Sequence, residues 1–156
     1  MNIRKTKQQT ELLKLVGDIN WDLFVTLTFS SKRTMAEASK VLRMFFISVE
    51  RASFGKQANT LRIVRFPVIE HTAEATHFHI LMIKPVDKNY AEFRNLLAHK
   101  WRKLSGTGKA NLTANGEWYQ PINDTYEDRT KVINYTTKYV NSDYETVDFQ
   151  NTTITN

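Results

Sequence analysis

The chain has 156 residues, 41% of them hydrophobic and 24% charged, which suits one globular domain with a full core and is short for two. It contains no cysteine, so disulfides and thiolate-held metals are excluded, and a reducing, intracellular setting is expected. Lys+Arg of 22 against Asp+Glu of 16 gives a net charge of +6, and a pI near 9.5 places nucleic acid among the candidate partners.

The opening stretch MNIRKTKQQTELLKL is basic but lacks the apolar core of a signal peptide. No apolar run reaches the roughly 20 residues that cross a bilayer, so no membrane partner is expected. Residues 21–29, WDLFVTLTF, are rich in β-branched and aromatic types and predict a strand. Within it Thr26 and Thr28 share one face, and Val25, Leu27 and Phe29 the other. Thr34 with Glu37 three places on forms a capping box, and Met35, Ala38, Leu42, Phe45, Val49 and Ala52 continue as an amphipathic helix. Residues 61–70 (LRIVRFPVIE) and 77–84 (HFHILMIK) predict two more strands, joined by the short polar loop HTAEAT into an antiparallel hairpin. A second helix is expected over about 88–104, carried by Tyr90, Phe93, Leu97, Trp101 and Leu104. After the loop SGTGKANLTANG comes a short strand, EWYQPIN, then a last helix over roughly 126–140. The polar tail 142–156 is expected to be loose. With no repeat, linker or low-complexity segment, 1–156 reads as a single domain with its core at about 20–141. The order predicts an α+β fold, a central antiparallel sheet flanked by helices.

Two of the 4 histidines fall in THFHILM, where strand alternation puts His77 and His79 on one face. They are either two packed core imidazoles or half of a metal site. The simplest hairpin register pairs Glu70 with His77, with Cβ atoms about 5 Å apart, and sets His79 diagonally across on the same face. A carboxylate and two imidazoles converging in this way suit Mn²⁺ or Mg²⁺, or a zinc or iron site with open positions. His71 reads as a solvated loop residue and His99 as a surface residue of the second helix.

The last helix carries INYTTKYVN, in which Tyr135 and Tyr139 lie four apart on one face with Lys138 beside them. Two readings stand: amphipathic tyrosines at the core edge, or a phenolic nucleophile. A phenol with an ordinary pKa of about 10 needs positive charge or a base beside it to attack phosphate. A lysine and a nearby metal meet that need.

FVTLTF (24–29), HFHILM (77–82) and YTTKY (135–139), in this order, resemble the three motifs of HUH endonucleases, the rolling-circle replication initiators (Rep proteins) of small phages, plasmids and single-stranded DNA viruses. The name describes histidine, hydrophobic, histidine, here His77-Phe78-His79, and the resemblance spans about 24–141. It implies a ferredoxin- or RRM-like antiparallel sheet with the metal hairpin in it and the tyrosine helix over the metal face. It implies one divalent metal, Mn²⁺ or Mg²⁺, on Glu70, His77 and His79. It further implies sequence-specific nicking and joining of single-stranded DNA, in which a tyrosine attack leaves a 5′-phosphotyrosyl link and a free 3′-hydroxyl. Tyr135 with Lys138 matches the single-tyrosine initiators, and Tyr139 completes the Tyr-x-x-x-Tyr spacing of initiators that alternate two tyrosines. Tyr135 is the expected principal nucleophile; Tyr139 is a second nucleophile or a packing or stacking residue. A transposase or relaxase of the same superfamily, and a non-catalytic nucleic-acid-binding module, are the alternatives.

No P-loop is present, because the first glycine of GxxxxGK[ST] would fall at Lys103 and Ala110 follows Lys109. The chain is then a minimal initiator or an isolated nuclease domain, with helicase and polymerase supplied separately. Further DNA contacts are expected from Arg62, placed by alternation on the face of Glu70, and from Lys109, Trp118 and Tyr119 as backbone and stacking contacts. Against the two aromatics stands the rule that aromatic strand residues are usually core. Thr26 and Thr28 either line the DNA surface or are buried and bonded to backbone.

Overall fold

The computed structural model of the chain describes residues 7–72, 75–104, 118–123, 125–137 and 146–154. In chain order these form α1 (Lys7–Gly17), β1 (Leu23–Thr28), α2 (Met35–Phe54), β2 (Arg65–His71), β3 (Thr76–Met82), α3 (Tyr90–Leu104), β4 (Tyr119–Pro121) and α4 (Tyr126–Thr137). The strands make one antiparallel sheet in the order β2-β3-β1-β4, so the fold is α+β with helices on both sides. No helix among the described residues is long and apolar enough to cross a membrane.

Alternate residues of the strands build two faces. On one, Leu23, Val25, Leu27, Phe78, Ile80 and Met82 pack beneath α2 and α3, whose Leu42, Phe45, Phe46, Val49, Phe93, Leu97 and Trp101 are buried against them. Each such side chain taken out of water stabilises the fold by about 1.5–3 kcal/mol. On the other, Phe24, Phe66, Val68 and Leu81 pack with Val16 of α1 and Trp21, and with Val132 and Ile133 of α4. The Thr34 capping box is formed: Thr34 Oγ1 accepts the Glu37 N–H at 3.2 Å, and Glu37 Oε2 accepts the Thr34 N–H at 3.1 Å. At the far end α2 stops on Gly55, whose φ of +57° suits a residue without a Cβ.

Three expectations change. α1 was not foreseen, because its polar KQQTELLKLVG hides the few apolar residues that meet the second core. The tail is docked over 146–154: Thr153 bridges Arg65, Val147 bridges Val68, and the Ile69 N–H donates to the Thr146 carbonyl at 2.7 Å. Here a buried polar set does what apolar patterning usually signals. Asp148 accepts from Ser39 Oγ at 3.0 Å and from Asn151 Nδ2 at 2.7 Å. Arg65 donates to the Asn151 carbonyl at 2.8 Å and to Glu50 at 3.0 Å. The segment thereby covers the edge of β2, whose unpaired backbone groups would otherwise be open. Third, β2 begins at Arg65, so the alternation that put Arg62 on the Glu70 face does not reach it. Arg62 is exposed, and its guanidinium donates to the Ala58 and Leu61 carbonyls.

Candidate active site

The hairpin register is the one expected: Glu70 pairs with His77 and Val68 with His79. On the other side of β3, Thr28 pairs with His77 and Thr26 with His79. All five polar side chains therefore stand on one face, at the end where β1 and β2 finish and β3 begins.

Each histidine is held by a threonine of the neighbouring strand. His79 Nδ1 lies 3.1 Å from Thr26 Oγ1, and His77 Nδ1 lies 2.8 Å from Thr28 Oγ1. A hydroxyl at Nδ1 on both rings leaves Nε2 as the nitrogen that each imidazole presents. His79 Nε2 meets Glu70 Oε2 at 2.5 Å. Because an ionised carboxylate only accepts, that contact assigns the proton to Nε2 and makes Thr26 the donor to Nδ1. The role of the threonines was open in the sequence, and their bonds to the histidine rings, rather than to backbone, place them behind the imidazoles.

The donor set, two imidazoles and one carboxylate, fits a divalent cation of the Mn²⁺ or Mg²⁺ kind. A cation at Nε2 would take the place of the Nε2 proton, and each Nδ1–H would then donate to its threonine hydroxyl, the support that metal-binding histidines usually have. Glu70 and His79 hydrogen-bond one another, and the His77 and His79 ring centres stand 6.4 Å apart. In these rotamers no three His, Asp or Glu side chains among the described residues form a group that could hold a metal.

α4 brings Tyr135 to this end of the sheet. Val132 and Ile133 pack on the apolar half of the face, and the next turn carries the tyrosine over the boundary. The Tyr135 ring stands edge-on to His79 at 5.9 Å and to Phe24 at 5.6 Å. Phe24 itself stacks on the His79 ring at 5.8 Å with 3° between planes. His79 is only 5% exposed, whereas Tyr135 is 43% exposed, so the tyrosine is the solvent-facing member of the pair. Phe24 was missed in the sequence, although alternation from Thr26 already put it on this face.

Beside Tyr135 opens a cleft of ≈ 810 Å³ between α4 and the β1–β4 edge. Trp118 lines it, as do Thr26, Thr28, Gln120, Asn123, Asp128, Lys131 and Asn134. Spacings of three and four from Asp128 through Lys131 to Tyr135 were the available sign of a shared helix face. Tyr119 turns away from the cleft into the core beneath α3. Its hydroxyl donates to the Tyr90 carbonyl at 2.8 Å, and burial pushes its pKa up. The rule that aromatic strand residues are core wins there, and for Trp118 as well, which is 4% exposed and packed in the same core cluster even though it borders the cleft. Lys109, Lys138 and Tyr139 lie outside the described residues.

No protein-family model matches the chain, and no curated protein matches it. Among solved structures, the chain is similar to the hypothetical protein ORF119 from Sulfolobus islandicus rod-shaped virus 1, at 17% identity and a TM-score of 0.49, over 85% of this chain and 93% of that one.

Proposed function

We propose that the protein nicks and joins single-stranded DNA through a tyrosine nucleophile, in the manner of a rolling-circle replication initiator. The observation that carries the reading is the placement of a solvent-accessible tyrosine, Tyr135, against the histidine of an acid–imidazole cluster. Tyr135 contributes the attacking oxygen. A bond forms between that oxygen and phosphorus, the phenolic proton passes to solvent, and the bond from phosphorus to the 3′-oxygen breaks. The 3′-oxygen keeps the electron pair, takes a proton from water and leaves as a hydroxyl, with the 5′-phosphate held on the tyrosine. Reversal of the same exchange rejoins the strand. Glu70, His77 and His79 would hold Mn²⁺ or Mg²⁺, whose charge would draw electron density from the scissile phosphate. Thr26 and Thr28 fix the two imidazoles so that Nε2 faces outward. Phe24 holds the His79 plane by stacking. Lys138, three residues after Tyr135 in sequence, is the proposed cation for the developing phenolate.

The Glu70–His79 bond favours one competing reading, a nucleic-acid-binding module whose histidines are structural. The two are separated by incubating the protein with a varied pool of single-stranded oligonucleotides and Mn²⁺, then running a denaturing gel. A covalent protein–DNA adduct that Tyr135→Phe abolishes is the expected result. No adduct across the pool with metal present would overturn the catalytic reading. An adduct lost only in the double variant with Tyr139→Phe would make the two tyrosines interchangeable.

A further inference from the structure

The cleft beside Tyr135 is not used by the chemistry proposed above, yet it shares Thr26, Thr28, His79 and Tyr135 with it. Its volume of ≈ 810 Å³ falls in the range of about 300–1,000 Å³ typical of small-ligand pockets. That admits a nucleotide and is far too small for a folded partner.

The lining chemistry selects which part of a nucleotide enters. Gln120, Asn123 and Asn134 carry carboxamides, each with two donors and an acceptor, which is the pattern that matches the edge of a base. Asp128 adds a carboxylate, which accepts from an exocyclic amine and repels phosphate. Trp118 also borders the cleft, but it is 4% exposed and packed in the core beneath α3, so it shapes the wall without offering a free ring face. Among the described residues the one Lys or Arg in the lining is Lys131, exposed three residues beyond Asp128 on α4 and suited to a phosphate at the mouth.

We infer that this cleft receives one unstacked base of the single strand, next to the phosphate that Tyr135 attacks, and reads its identity through Asn123, Asp128 and the neighbouring amides. The inference rests on the proposed nicking activity and gives that activity its sequence preference. Splayed bases read on their edges are the usual way in which single strands are recognised. Docking a base here also fixes the register of the strand, since the adjoining phosphodiester is then set against the tyrosine.

The test reads binding, not cleavage. The double variant Tyr135→Phe/Tyr139→Phe, which lacks both candidate nucleophiles, is used to select from a randomised single-stranded DNA 20-mer pool, and the bound fraction is sequenced. The expected profile has one position with a base preference of roughly tenfold or more, as a well-made edge contact gives. Adding Asn123→Ala or Asp128→Asn should reduce that preference to about twofold while the preferences at other positions persist. Asn123 is an exposed loop residue, so its variant keeps the experiment decisive if Asp128→Asn fails to fold. The inference is overturned if the cleft variants enrich the parental profile, or if the parent enriches no base at any position. Failure of the nicking reading would show separately, as no adduct formed by the unmodified protein on the same pool.

Discussion

The two faces of the sheet are made by alternate residues of the same strands, and they differ in what they leave unsatisfied. The face under α2 and α3 is apolar along its whole length, from Leu23 and Met82 to Leu27 and Phe78. The other is divided across its middle: Phe24, Phe66 and Leu81 at one end, Thr28, His77 and Glu70 at the opposite end, with Thr26 and His79 between. α4 straddles that division, with Val132 and Ile133 on the apolar half and Tyr135 against His79. One face is sealed by a full core; the divided face has a smaller core that stops short of a polar end. The residues proposed for catalysis stand on strands fixed from behind by a full core, which would give the precision that the proposed chemistry at a phosphate demands.

That contrast can be broken from the sealed side first. Trp101 is fully buried, packs edge-on against Phe29 and Phe45, and donates its indole N–H to the Thr28 carbonyl at 3.0 Å. Trp101→Ala should cost about 3–5 kcal/mol in denaturant unfolding. A loss under about 1 kcal/mol would mean that this face is not the main support.

Glu50→Ala comes next. Glu50 is 3% exposed and accepts from Arg65 and from the Ile63 N–H at 2.8 Å, and Arg65 lies 4.0 Å over the Phe46 ring. Burial already holds the Arg65 guanidinium below its ordinary pKa, with Glu50 acting in the opposite sense. Removing the carboxylate strands a buried cation, at a cost of about 3 kcal/mol. It should also release the 146–154 segment, seen as faster amide exchange at Thr153 and Ile69. Exchange that stays slow there would show the segment to be held without Arg65.

Much of this was legible in the sequence. The Glu70–His77 pairing followed from strand alternation and a short hairpin loop, and the Thr34–Glu37 cap from residue types alone. What was not legible depends on contacts between distant segments. Nothing local tells that Thr26 and Thr28 sit behind the histidines, since that requires β1 to pair with β3 across a helix and a strand. The docked tail was hidden for a related reason. Ser39, Asp148 and Asn151 satisfy one another over 109 and 112 residues of sequence, and polar residues that pair far apart look locally like solvated ones. Arg62 shows the opposite failure, in which alternation was carried three residues past the true start of β2.

On the divided face, Thr26→Val should barely touch the core but loosen His79 at Nδ1. Mn²⁺ affinity measured by calorimetry should fall roughly 10- to 100-fold, the usual effect of losing an outer support of a metal-binding histidine. Thr28→Val should act likewise through His77. Unchanged affinity in both would remove the threonines from the metal site and favour structural histidines.

The smallest effect belongs to Tyr119, and it tests where the sealed face ends. The strand pairing of Tyr119 with Val25 puts it on the core side, in the same buried cluster as its neighbour Trp118. Tyr119→Phe removes one hydrogen bond, to the Tyr90 carbonyl, and should cost about 1 kcal/mol at neutral pH. Its pH dependence is more telling. Burial raises the phenol pKa in the folded state, with Tyr90 adding to the rise and Arg94 opposing it. The unfolded chain gives up that proton near the ordinary value of about 10, where the folded protein still keeps it. The contribution of the protonated phenol is therefore complete below about pH 10 and is lost as pH climbs toward the raised folded value. Wild type should lose stability more steeply than Tyr119→Phe above about pH 10, so that the two unfolding curves converge. Curves that stay parallel would place the Tyr119 hydroxyl in water, at the rim of the sealed face and not within it.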